Sequence, residues 1–262
     1  MSEAYEIHGA GRGGPWVVSC DHASARVPAS VNGGDLGLPP RDMARHIAYD
    51  VGALGVALAL GQALDAPVVA SRFSRLVIDP NRGERDPTLL MRLYDGSIIP
   101  ANRHADRAET ERRLDAFWRP YHGALAEVMS ARADPVLVAV HSFTPQLCGR
   151  PPRPWQVAVL SAADRRLADP LIAALGQPEM ADWVAEVSGA SLRIGDNEPY
   201  DGHLPGDSID RHALRQGHLN VLIEVRNDLI ATEAQQAAWG ARLAPVLTRA
   251  LHDAGEFRAA EG

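Results

Sequence analysis

The chain alternates short, uninterrupted apolar segments with amphipathic ones, and this alternation restricts the folds open to it. The apolar segments have the length and composition of strands that are buried on both faces. Such strands alternating with helices are typical of an α/β fold with a mostly parallel sheet between two helical layers. We predict strands over residues 16–20, 66–70, 76–79, 136–140, 156–160 and 219–225.

Helical spacing of apolar residues occurs in the segments between these strands. We predict helices after Pro40, over 107–132 with a kink or new start at Pro120, over 164–187, and from Thr232 to Gly255. In the first of these, Asp50 lies at the edge of the apolar stripe rather than on its solvated side. The segment 80–103 is rich in glycine, proline and charge, and we predict a long loop there.

The composition excludes several classes of protein. The net charge is −7 and the hydrophobic content is 46%, which argue against a nucleic-acid binder and a disordered chain. No apolar run reaches the ~18 residues of a membrane helix, and residues 1–14 lack the order of a signal peptide. Two cysteines without CxxC spacing fit a reducing cytoplasm. We therefore expect a cytoplasmic protein with one domain over residues 1–262, and the sequence leaves its oligomeric state open.

Polar residues follow several predicted strands directly. His22 and His141 stand at two strand ends, and Glu224 lies inside an apolar strand. Ligand sites in such sheets lie outside the carboxyl ends of the strands, so we expect these side chains to be close together. Two histidines with nearby carboxylates are the ingredients of a catalytic zinc site, and a glutamate beside it can serve as general base.

Each of these residues also has a purely structural interpretation. The histidines can cap turns, and Glu224 can pair with Arg226, which points to the same face of its strand. Burying an unpaired carboxylate costs several kcal/mol, so Glu224 must be either paired or catalytic. Cys20 can be a small buried residue or a nucleophile.

Six short segments form an ordered set between residues 19 and 230. They are Ser-Cys-Asp-His-Ala-Ser (19–24), Asp-Val-Gly (50–52), Ser-Arg-Leu-Val-Ile-Asp-Pro-Asn-Arg (74–82), His-Ser-Phe-Thr-Pro (141–145), Gly-Asp-Asn-Glu-Pro-Tyr-Asp-Gly (195–202) and Ile-Glu-Val-Arg-Asn-Asp-Leu-Ile (223–230). Together they resemble the N-formylglutamate amidohydrolase family, in its shorter branch. That family is similar to zinc carboxypeptidases and aspartoacylase, which implies a three-layer α/β/α fold around a central mixed, mostly parallel sheet.

The resemblance implies hydrolysis of an N-formyl or similar N-acyl amide of an acidic amino acid. In the type reaction, N-formylglutamate and water give formate and glutamate. One Zn²⁺ ion is implied, with His22 and His141 as ligands and Glu224 as general base and acid. The matching motifs also imply that Arg75 stabilises the oxyanion and that Asn81 and Arg82 bind a substrate carboxylate.

The sequence departs from the wider superfamily at one metal ligand. Carboxypeptidase-like enzymes use His-x-x-Glu, whereas Ala25 stands three residues after His22. We expect Asp50 to supply the missing oxygen ligand, and Asp21 is the alternative.

Further residues are expected at the substrate. Arg226 can share the carboxylate clamp, and Asn197 and Tyr200 can line the acyl or side-chain pocket or form only a structured turn. Two competing functions remain: an amidohydrolase that uses Cys20 as nucleophile, and a catalytically silent protein that binds acidic metabolites. In each case the partner is a small acidic molecule, not a nucleic acid or a membrane.

Overall fold

A computed structural model of the chain describes residues 2–260, with side chains described through residue 255. The strands are β1 Tyr5–His8, β2 Trp16–Cys20, β3 Val68–Ser71, β4 Leu93–Tyr94, β5 Ser97–Ile98, β6 Val136–Phe143, β7 Val157–Leu160, β8 Ile194–Asp196 and β9 Asn220–Arg226. The α-helices are α1 Pro40–Met43, α2 Ala53–Ala63, α3 Arg107–Arg113, α4 Arg119–Ser130, α5 Ala168–Leu175, α6 Pro178–Ser188, α7 Ser208–His212 and α8 Glu233–Ala260.

Seven strands form one mixed sheet in the order β1-β3-β2-β6-β9-β7-β8. The four strands β3, β2, β6 and β9 run parallel to one another, and β7 with β8 runs antiparallel to β9. The predicted central sheet, mixed and mostly parallel, is therefore confirmed. The strands β4 and β5 pair separately, as a small hairpin inside the long loop.

A separate apolar core covers each face of the sheet. Successive residues of β2, such as Val17 and Val18, enter opposite cores because neighbouring side chains of a strand point to opposite faces. One core packs the sheet against α2, α5, α6 and α8. The other packs it against α4, α7 and the segment 73–78. This arrangement confirms the three-layer α/β/α fold. In the described part of the chain, no helix combines the length and apolarity that a membrane span requires.

The predicted strand over 76–79 is wrong, although its residues are buried as expected. Leu76 and Val77 lie in a turn, and their carbonyl oxygens accept hydrogen bonds from the side chains of Asn102 and Arg113. Because polar side chains satisfy this buried backbone, the segment needs no neighbouring strand.

Two helix predictions also need correction. The helix predicted after Pro40 is divided into α1 and α2, and Gly52, with φ of 80°, lies between them. A side chain at Gly52 would press its Cβ against the carbonyl oxygen of Ile230, so only glycine fits this close approach. At the other end, α8 continues past Gly255, because an exposed helical glycine costs only about 1 kcal/mol.

We predict that Gly240→Ala destabilises the fold by about 1–3 kcal/mol, because α8 crosses α2 at this residue. An added Cβ would lie 2.5 Å from the Cβ of Ala59 and 2.8 Å from the Val56 carbonyl oxygen. Gly123→Ala in α4 is the matched control, since nothing lies within 4 Å of its added Cβ. It should stabilise by about 0.5–1 kcal/mol through helix propensity. Urea unfolding measures both, and equal effects of the two substitutions would contradict this account of the crossing.

Candidate active site

The predicted site residues converge where β2, β6 and β9 end. His22 follows β2 by two residues, His141 lies in β6, and Glu224 lies in β9. The register pairs His141 directly with Glu224, so backbone hydrogen bonds set the spacing of these two side chains. All three residues are buried.

A group of three side chains here has the geometry to hold a metal ion. His22, Asp50 and His141 each offer one ligand atom, and these atoms lie within 4.8 Å of one another. The Nδ1 atoms of His22 and His141 lie 3.3 Å and 2.8 Å from Oδ2 of Asp50. Two imidazole nitrogens and one carboxylate oxygen form the donor set of a common type of catalytic zinc site.

Asp50 reaches this position from an irregular segment and not from the expected helix. Its backbone N–H donates to the carbonyl oxygen of His22 at 2.9 Å, and its Oδ2 accepts from the backbone N–H of Ser142 at 3.3 Å. Although burial opposes ionisation, the charge of His22 and the hydrogen bond with His141 hold the pKa of Asp50 well below its usual range. Asp50 therefore stays a carboxylate.

Two further carboxylates hold the far side of the histidine rings. Asp79 lies 2.7 Å from Nε2 of His22, and Asp21 lies 3.0 Å from Nε2 of His141. A carboxylate that accepts the Nε2 proton leaves Nδ1 free to bind a metal ion. Asp21, the alternative ligand in the sequence prediction, thus contacts His141 from behind, where it also accepts from Tyr121 and Ser208.

Glu224 has a buried carboxylate atom without a partner. Its side chain is 6% exposed, and among the described residues none hydrogen-bonds its Oε2. Burial raises the pKa of Glu224 to about 7, and the nearby His141 partly opposes this shift. The alternative interpretation, a pair with Arg226, is not observed: Arg226 donates to Asp228 at 2.7 Å.

Glu224 and the histidines open onto a cavity of about 270 Å³. Its lining includes the predicted residues His22, Asp50, Arg75, Asn81, Arg82, His141, Tyr200 and Glu224, together with His46, Tyr94, Asp207 and nine others. Arg226 and Asn197 are not among the lining residues. Asn197 instead accepts from the backbone N–H groups of Ser161 and Gly202, as in the turn interpretation.

The two predicted arginines of this cavity differ in their partners. Arg75 donates to Asp79 at 2.8 Å and to Asp50 at 3.4 Å, which leaves two of its five N–H groups without a partner among the described residues. Arg82 donates to Thr88 and to the Asn81 carbonyl oxygen, and it has no carboxylate partner in the described part of the chain. Arg82 is therefore the less neutralised of the two.

Cys20 does not reach the cavity. It is fully buried in the core that contains α2, and burial, with Asp50 and Asp21 adding to it, raises the pKa of its thiol well above the usual value. The thiol therefore stays protonated and shielded from solvent, which disfavours it as a nucleophile.

Sequence reasoning gave no individual role to Asp79, Tyr94 or His46, all of which belong to this site or its immediate surroundings. Asp79 stands in the segment 74–82, one of the six segments that carry the family resemblance. That segment is therefore a sequence signal that could have identified Asp79. Tyr94 lies in the two-residue strand β4 and His46 in a turn, and both are too short to have a periodic pattern that would distinguish them.

The chain is similar in sequence to known proteins. The sequence model of the N-formylglutamate amidohydrolase family matches residues 14–231. Over 125 residues the chain is 31% identical to N-formylglutamate deformylase from Pseudomonas putida, a match that covers 42% of this chain and 43% of that protein. The chain thus matches less than half the length of this curated relative.

Solved structures show the same fold. A crystal structure of a gene product from Agrobacterium tumefaciens has 36% identity and a TM-score of 0.84 over 95% of both chains. That of N-formylglutamate amidohydrolase from Ralstonia eutropha JMP134 has 19% identity and a TM-score of 0.60, and covers 94% of this chain and 99% of its own. The second comparison concerns the fold alone.

We predict that Asp207→Asn stabilises the protein at pH 8 but not at pH 4. Burial raises the pKa of Asp207, which also caps α7, to about 7. Between its unfolded pKa of about 4 and this value only the unfolded chain ionises, so the wild type loses stability as the pH rises. Asparagine keeps the cap without the charge.

Denaturant unfolding should therefore give Asp207→Asn a free energy of unfolding about 2–4 kcal/mol higher than that of the wild type at pH 8. Asp182→Asn, at an exposed position of α6, is the control and should show no such gap. A gap of equal size at pH 4 and pH 8 would contradict the prediction.

Proposed function

Because this chain belongs to the N-formylglutamate amidohydrolase family, we propose that it is a metal-dependent hydrolase that cleaves the N-formyl, or a similar N-acyl, amide of an acidic amino acid. The observation that carries the proposal is Oε2 of Glu224, which is buried beside the group of His22, Asp50 and His141 and has no hydrogen-bond partner among the described residues. A buried carboxylate without a partner is costly to the fold, and a role as proton acceptor accounts for its presence.

The residues present fit a zinc ion. Nδ1 of His22, Nδ1 of His141 and a carboxylate oxygen of Asp50 would hold it, and Asp79 and Asp21 fix the two rings from behind. When bound there, the ion would act as a Lewis acid and lower the pKa of a water molecule.

The chain's own residues carry the proton transfers and the charge stabilisation. Glu224, with its pKa near 7, takes a proton from the attacking water at Oε2 and then delivers it to the departing amine nitrogen. Arg75 lines the cavity, and its two N–H groups without a partner among the described residues would donate to the oxyanion that develops on the carbonyl oxygen. The products are formate, or another carboxylate, and the free amino acid.

An acidic substrate needs positive charge in a protein whose net charge is −7. Arg82 lies at the cavity wall next to Asn81, and its guanidinium has no carboxylate partner among the described residues. A planar guanidinium matches a carboxylate in geometry, so we assign the substrate carboxylate to Arg82 and Asn81. Arg226 forms an ion pair with Asp228 and does not line the cavity, so we do not assign it to the substrate carboxylate.

We predict that Glu224→Gln lowers turnover of N-formyl-L-glutamate by at least about 100-fold, because the amide cannot accept the proton. Zinc content, measured by mass spectrometry, should remain at the wild-type level. Glu186→Gln on the exposed side of α6 is the control and should keep full activity. Wild-type turnover in Glu224→Gln would contradict the mechanism.

The same assay separates the competing functions. If zinc-loaded wild-type protein hydrolyses no N-formyl or N-acetyl amino acid yet binds L-glutamate, the silent binding protein is the correct interpretation. If iodoacetamide abolishes activity that a chelator leaves intact, the cysteine mechanism is correct.

We also predict that Asp21→Asn weakens zinc affinity by about 10–100-fold without unfolding the protein, because Asp21 orients the ring of His141. Competition with a chromophoric chelator measures the affinity, and circular dichroism checks the fold. Asp134→Asn, at an exposed position, is the matched control. Equal zinc affinities of the two variants would contradict the assigned role of Asp21.

A further inference from the structure

Arg153 is a half-buried arginine that has no carboxylate partner among the described residues. It lies in the proline-rich connection between β6 and β7. Its Nη1 donates to the carbonyl oxygen of Thr144 and to the hydroxyl oxygen of Tyr200, both at 3.1 Å. Its guanidinium also lies 4.9 Å from the ring centroid of Tyr200 and 5.8 Å from that of Phe143. These contacts hold a positive charge in place but do not neutralise it.

The Tyr200 hydroxyl connects the charge of Arg153 with the cavity. Tyr200 lines the cavity, whereas Arg153 lies one layer behind it. Because the hydroxyl oxygen accepts from Arg153, its own proton remains available, and no described residue accepts it. Burial, reinforced by the charge of Glu224, raises the pKa of Tyr200, so the hydroxyl stays protonated and acts as a donor.

Tyr200 and Arg82 reach the cavity from opposite halves of the sheet. Arg82 belongs to the segment that follows β3, and Tyr200 follows β8 at the other edge. The group of His22, His141 and Asp50 stands at the central strands between them. A ligand whose reacting amide lies at this group can therefore place one carboxylate at Arg82 and a second polar end at Tyr200.

We propose that Arg153 selects substrates with an acidic side chain, because it holds the Tyr200 hydroxyl as hydrogen-bond donor to the second carboxylate of the substrate. Arg153 is a positioning residue here, and Tyr200 is the residue that touches the substrate. The inference rests on the proposed function and adds to it the two residues that distinguish an acidic from a neutral side chain. A neutral side chain leaves the charge of Arg153 without a counter-charge, so it binds more weakly.

The test compares N-formyl-L-glutamate with its neutral counterpart N-formyl-L-glutamine on zinc-loaded protein. We expect Arg153→Gln to raise KM for N-formyl-L-glutamate about tenfold or more, and to change KM for N-formyl-L-glutamine and both kcat values less than about twofold. Tyr200→Phe, which removes only the hydroxyl, should raise KM for N-formyl-L-glutamate by a similar factor and KM for N-formyl-L-glutamine less, because the neutral amide oxygen accepts a weaker hydrogen bond. Arg153→Lys should recover part of the lost discrimination, because it restores the charge without the planar geometry.

The matched control is Arg150→Gln, which removes the same charge from an exposed position of the same connection. It should keep the discrimination of the wild type. If Arg153→Gln and Tyr200→Phe keep it too, or if they lower kcat equally on both substrates, as loss of support for Glu224 would do, the inference is overturned.

A failure of the proposed function has a different signature, since no variant and no wild-type protein would then hydrolyse either substrate. Calorimetry with L-glutamate and L-glutamine still decides the role of Arg153 in that case. The inference requires Arg153→Gln to weaken binding of L-glutamate relative to L-glutamine, and an unchanged ratio overturns it.

Discussion

The carboxylate of Asp50 joins three segments of the chain that are far apart in sequence. It contacts the ring of His22 after β2, the ring of His141 in β6 and the guanidinium of Arg75 in the loop after β3. A lone carboxylate buried at this depth would cost several kcal/mol, so the fold tolerates it only because these partners surround it. The same oxygen atom, Oδ2, also contacts Nδ1 of both rings, whose centroids lie 4.9 Å apart in an edge-on arrangement.

The charges around this carboxylate form two layers. Asp79 and Asp21 lie behind the histidine rings, and Arg75 connects Asp79 to Asp50. Asp79 and Asp21 therefore hold the two histidine rings that contact Asp50 in a fixed orientation before any ligand binds. Electrostatic preorganisation of this type is the main source of rate enhancement attributed to many enzymes. Three arginines, Arg75, Arg82 and Arg153, lie at or directly behind this one cavity.

The sequence predicted the parts of this arrangement that depend on periodicity and on strand ends. Apolar runs located β2, β6, β7 and β9, and the rule for parallel sheets brought His22, His141 and Glu224 together. It did not predict that Asp21 holds His141 and that Asp79 holds His22. These contacts join residues 120 and 57 positions apart, and tertiary packing alone determines such pairs. The segment 76–79 was misassigned for a related reason: its backbone partners are side chains from the distant residues Asn102 and Arg113.

The direct pairing of His141 with Glu224 in the β6–β9 ladder has a consequence for how such a chain can diverge. Neighbouring strands lie about 4.8 Å apart, and this distance is a property of the backbone, not of the side chains. Insertions in the connections that carry Arg82, Arg153 and Tyr200 can therefore reshape what the cavity admits while the spacing of His141 and Glu224 stays constant. A deletion of one residue within either strand would instead turn one of the two side chains to the opposite face of the sheet. The fold therefore allows the ligand preference to change through the loops while the catalytic groups on the strands stay in place.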